Sequence, residues 1–143
     1  MPTMLEKIKK KPAPQSALLL ACLLLALALP LACGVNQDLL GNWQLVASEE
    51  ASLAVGMVFE FKRDRSLEIR LGTAQLSIED REAFDSTYGT IRLSYSSSPD
   101  GSLTINLARQ EQGTVLLRMT YLLGENSLTI TDEEGVTLVF RRQ

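Results

Sequence analysis

The side chain best placed for chemistry is the thiol of Cys33, where the uncharged run "ALLLACLLLALALPLAC" of residues 17–33 gives way to the polar "GVNQD". A sulfur held at that boundary can act as a nucleophile once deprotonated. The other usual actors are missing or badly spaced. The chain has no histidine, the commonest general base and metal ligand. The serines of "YSSSPDGS" have no base in a motif around them and read as a turn. Carboxylates gather in "DREAFD" and "TDEEGV", but without the alternating oxygen ligands of a calcium loop, so both read as solvated acidic loops. No glycine-rich phosphate loop is present. On the patterned stretches below, Glu60 and Glu68 fall on the wet face rather than toward a pocket. These features argue against an enzyme, a bound cofactor or a metal site.

The elements around Cys33 explain its position. Residues 1–15, "MPTMLEKIKKKPAPQ", are cationic, and an apolar run follows, ending in small residues. That is the layout of a secretory signal. The lysines hold the N-terminus in the cytoplasm, so the rest of the chain crosses. Seventeen apolar residues lie at the lower edge for a stable span, and Pro30 breaks helix geometry before the exit.

"PLAC" resembles the lipobox of bacterial lipoproteins, in which a small residue precedes a cysteine that receives diacylglycerol before cleavage. "LLAC", ending at Cys22, has similar letters but too short an apolar stretch before it. The resemblance implies a signal peptide over residues 1–32, a lipidated Cys33 and a tether over residues 33–38. The mature protein would then be exported and anchored by its acyl chains, palmitate among them, on the extracytoplasmic side of a membrane. Cleavage after Gly34 and an uncleaved anchor are the alternatives. Two chains on the glycerol supply the dual signal that stable anchoring requires.

The formal charge of −3 is unevenly divided. Lys7, Lys9, Lys10 and Lys11 precede Cys33 with only Glu6 against them, leaving ten basic and sixteen acidic residues in the body. An acidic body with scattered cations is a poor nucleic-acid partner. Both cysteines lie in or at the end of the apolar run, so the body has no disulfide framework.

From residue 39 onward, apolar and polar residues alternate with period two. "MVFEFK" sets Met57, Phe59 and Phe61 against Glu60 and Lys62, and "LEIRL" sets Leu67, Ile69 and Leu71 against Glu68 and Arg70. "TIRLSY", "LTINL", "VLLRMTY", "LTI" and "VTLVF" repeat the pattern. "KRDRS", "SPDGS", "GENS" and "DEEG" supply turn residues between them. The expectation is an all-β fold, a small antiparallel up-and-down barrel over residues 39–143. In "RLGTAQLSIED" the apolar parity shifts across Gly72 and Thr73. A bulge would give eight strands, a tight turn into a separate short strand nine. "EDREAFDST" reads as a loop or one helical turn, with Phe84 and Tyr88 at a rim or capping the core.

"LLGNW", residues 39–43, is similar to the Gly-x-Trp opening of lipocalins and lipocalin-like domains, and the basic ending "VTLVFRRQ" is similar to that of short bacterial members. The resemblance implies that Trp43 plugs one barrel end beneath an arginine of the last strand; without it, Trp43 is simply core. Parity selects Arg142, which shares the face of Leu138 and Phe140. It also implies a ligand site in the barrel, for which Phe59, Phe61, Leu93, Tyr95, Met119 and Tyr121 are the inward candidates. About 105 residues over eight strands make a shallow barrel, so any cavity should be small. Two functions follow: binding of a small hydrophobic ligand, or a solid-cored module that binds another envelope protein. Either would be a monomer.

Overall fold

The computed structural model describes residues 35–143, so the signal, the lipobox-like stretch and Cys33 itself lie outside the described residues. A 3-10 turn, Gln37–Leu39, leads into eight strands: β1 (Gly41–Ser48), β2 (Val58–Phe61), β3 (Ser66–Arg70), β4 (Ile91–Ser97), β5 (Ser102–Arg109), β6 (Gly113–Leu123), β7 (Ser127–Asp132) and β8 (Thr137–Arg142). One helix, α1 (Ile78–Tyr88), lies between β3 and β4. Each strand pairs antiparallel with its sequence neighbours, and β8 returns to β1, closing an up-and-down barrel. Closure removes both sheet edges, which would otherwise expose a row of unpaired backbone groups.

The period-two pattern works as a one-sided sheet must. Trp43, Leu45, Phe59, Phe61, Leu67, Tyr95, Leu103, Ile105, Leu128, Ile130 and Phe140 are buried inside, while their strand neighbours such as Glu68 and Arg92 are exposed. Turn chemistry closes the hairpins. Asp64 accepts from the Ser66 N–H (2.9 Å), Asp100 from the Ser102 N–H (2.9 Å), and Asp132 from the Glu134 and Val136 N–H groups (2.9 and 2.8 Å). Among the described residues, no buried side-chain polar atom is left without a partner.

An even strand number brings the start of β1 and the end of β8 to one end of the barrel, together with the β2–β3, β4–β5 and β6–β7 turns. The β1–β2 loop, the β3–β4 connection carrying α1, and the β5–β6 and β7–β8 turns lie at the other.

The β3–β4 connection departs from both sequence expectations. Neither a bulged continuation of β3 nor a ninth strand forms at residues 73–78; the chain turns at Gly72 and enters a helix of three turns. Gly72 has φ +57° and packs so tightly on the β1–β2 loop that a Cβ would lie 2.3 Å from the Gly56 carbonyl oxygen. That oxygen accepts from the Thr73 N–H (3.1 Å), which ends the ladder where a strand would have continued. Ser77 then caps α1, its hydroxyl oxygen accepting from the Asp80 N–H (3.1 Å).

Candidate functional site

The end where the chain begins is filled. Trp43 is fully buried and donates its indole N–H to the Leu39 carbonyl (2.8 Å), so the 3-10 turn lies across the barrel end as a stopper. The guanidinium of Arg142 lies over the indole ring, its carbon 4.1 Å from the centroid, and donates to the carbonyls of Leu40 and Asp38. This places Arg142 and Trp43 together, as cross-strand partners of β8 and β1. Phe61 and Tyr95 meet edge to face at 4.9 Å, and the Tyr95 hydroxyl donates to the Lys62 carbonyl (2.7 Å). Burial, and secondarily the negative charge of Asp64, push the Tyr95 phenol up to about 12. The Tyr121 hydroxyl donates to the Ser98 carbonyl (2.8 Å) and accepts from the Asn36 side-chain amide (2.9 Å).

The opposite half is open. A cup of about 850 Å³ enters the barrel there, larger than the shallow geometry suggested. Phe59, Ile69, Leu93, Ile105, Met119 and Ile130 line its depth, and Leu53, Leu76, Phe84 and Tyr88 border its mouth. Phe84 and Tyr88 sit one helical turn apart on α1, their rings 4.5 Å between centroids, and are the half-buried face by which the otherwise exposed helix meets the barrel. The six inward candidates therefore split. Phe59, Leu93 and Met119 line the cup, whereas Phe61, Tyr95 and Tyr121 do not and belong to the filled end. Alternation along a strand assigns a side chain to inside or outside but carries no depth along the barrel axis, which is why sequence reasoning merged the two sets.

A weak seam runs along one wall of the cup. β3 and β4 pair only at Ser66–Ser94 and Leu67–Leu93, while β5 and β6 pair over eight positions. Toward the mouth the two strands run on without a ladder. A shallow cleft of about 540 Å³ lies along that seam and shares Leu67, Ile69, Leu93, Ile91 and Tyr88 with the cup.

Around the cup, charge gathers at the rim. The mouth connections and the strand ends bordering them hold Glu49 and Glu50 before β2, Glu79, Asp80, Glu82 and Asp85 on α1, Glu111 after β5, and Asp132, Glu133 and Glu134 after β7. Arg70, Arg81, Arg92 and Arg109 are the cations there, and Arg118 also lines the cup, so the acids remain in excess. Glu50 is held below the usual carboxylate range by the backbone and hydroxyl of Ser52. No charged or polar residue is buried among the described residues, and no three or more of their carboxylates come together in a way that could hold a metal ion. What the arrangement can do chemically is take an apolar body into the cup and leave its polar end at an acidic rim.

Compared with known proteins, the chain matches no family model and no curated sequence.

Proposed function

We propose that this is an exported lipoprotein, anchored through acylated Cys33, whose lipocalin-like barrel binds a small hydrophobic ligand and catalyses no reaction. The observation that carries the ligand reading is the cup: about 850 Å³, apolar through its depth and open at one end. Ligand pockets commonly fall between about 300 and 1,000 Å³ with apolar walls. The filled end supports the same reading, since a plugged floor lets a cup retain an apolar molecule without becoming a channel.

Calorimetric titration with a medium-chain fatty alcohol tests the site. Replacing Leu93 or Met119 by Trp fills the cup from its wall, and either substitution is expected to weaken binding at least about tenfold, equivalent to about 1.4 kcal/mol. Tyr121→Phe, at the filled end, should leave the affinity unchanged. Equal binding by all variants would place the ligand elsewhere. The anchor is tested separately by the mass of the protein recovered from membranes, where diacylglycerol on an N-terminal Cys33 is expected and Cys33→Ser should accumulate unprocessed.

The second reading, a module that binds another envelope protein, draws on Leu116 and Leu122, which are 56% and 73% exposed on β6. Leu116 also lines the cup and Leu122 does not, so Leu122→Ala is the discriminating variant: it should weaken such binding and leave the cup intact.

A further inference from the structure

We infer that the barrel stands on its filled end, with that face turned to the lipid surface holding the anchor and the mouth of the cup directed away from it. The inference rests on the lipoprotein reading of Cys33.

The first support is the point where the chain joins the barrel. Asn36 is already part of the filled end: its N–H donates to the Ser97 hydroxyl (3.0 Å), its side-chain amide donates to Tyr121, and Val35 packs against the core. The tether expected over residues 33–38 is therefore shorter than it reads in sequence. From Cys33 to Asn36 the chain spans at most about 10 Å. The mouth is much farther off. From Tyr121 to Gly113, β6 runs eight residues toward it, roughly 26 Å along a strand or about 20 Å along the barrel axis at the usual tilt. An inverted barrel would need a tether about twice as long.

The second support is charge. Glu49, Glu50, the four acids of α1, Glu111 and the β7–β8 acids surround the mouth and outnumber its arginines, whereas at the filled end Lys62, Arg63, Arg65, Arg141 and Arg142 face Asp38, Asp64, Asp100 and Glu125. An anionic bilayer repels the mouth within a Debye length of about 8–10 Å and tolerates the filled end. Both supports oppose tipping the mouth onto the lipid, despite the exposed Val55, Ile78, Val115, Leu116 and Leu117 near it. The cup would then load from the aqueous side or from an opposing surface, and not from the bilayer that holds its own anchor.

The test uses the lipidated protein purified from membranes and reconstituted in phosphatidylcholine vesicles containing phosphatidylglycerol. A fluorophore is placed on single exposed cysteines at the filled end (Arg63→Cys, Glu125→Cys) and at the mouth (Glu111→Cys, Glu134→Cys), and a nitroxide on the lipid headgroups quenches it. Several-fold stronger quenching at both filled-end sites is the expected result. Equal quenching at the two ends, or stronger quenching at the mouth, overturns the orientation while leaving the anchor standing. Protein that fails to float with the vesicles and carries an unmodified Cys33 overturns the lipoprotein reading and the orientation with it.

Discussion

At the scale of single residues, the filled end concentrates the polar contacts that specify the fold. Arg142 serves three partners at once: the Trp43 ring and the carbonyls of Leu40 and Asp38. The cation–π contact contributes roughly 0.5–2 kcal/mol and a charge-assisted hydrogen bond roughly 1.5–3. Arg142→Ala is expected to lower the unfolding free energy by about 2–3 kcal/mol in urea, read by the fluorescence of Trp43, the chain's single tryptophan. Arg142→Lys should recover only part of it, because an ammonium keeps the charge but not the planar fork. Tyr95 gives the filled end a pH dependence. Its phenol is raised from the ordinary value near 10 to about 12, so the folded state favours the neutral form. That contribution is complete below pH 10 and is lost as pH rises through 12. Tyr95→Phe should cost about 1 kcal/mol at neutral pH, through the lost bond to Lys62, and flatten the alkaline fall in the urea midpoint. The Arg142 position was legible because parity separated it from Arg141; that Tyr95 and Tyr121 are spent on carbonyls at the barrel end was not, since no local pattern names the backbone group a hydroxyl will reach.

At the scale of elements, the strands were readable and α1 was not. Alternation with a wet face and turn residues at each joint is a strong signal, and eight strands close as it requires. The helix has no buried residue, and its four apolar or aromatic residues, Ile78, Ala83, Phe84 and Tyr88, do not make the continuous stripe that marks an amphipathic helix. Its signal was elsewhere: Ser77 three residues before Asp80 is a capping arrangement, and Phe84 and Tyr88 are spaced i, i+4. The alternation of Ala74, Leu76 and Ile78 concealed both. Because α1 is held by its cap and two rings rather than by the core, it should open without the barrel. Ser77→Ala, at about 1 kcal/mol for a lost cap, should speed hydrogen exchange of the α1 amides about fivefold while leaving the global unfolding midpoint in place. A midpoint that falls in step with the helix would show that α1 is integral to the barrel.

Taken as a whole, the barrel is a cup with two unlike ends. The chain enters and leaves at the filled end, where Trp43, Leu39 and Arg142 close the floor. The other end is open, with β3 and β4 unpaired toward it and α1 at its border, and has apolar walls beneath an acidic rim. The fold class was legible in sequence, and so was most of the inward set, although alternation also put Val115 and Leu117 inside and they are 49% and 37% exposed. The unpaired seam was not legible, because how far two neighbouring strands stay paired is a property of register that the composition of neither strand reveals.

The central claim, that the cup holds an apolar molecule, is tested most directly by native mass spectrometry of residues 35–143, which contain every described strand and the whole described core. The protein is purified from cells and extracted for small molecules, alongside Leu93→Trp. A stoichiometric apolar adduct on the parent chain, absent from Leu93→Trp, is the predicted result. A bare mass that stays bare when fatty acids and lipids are offered would contradict the account.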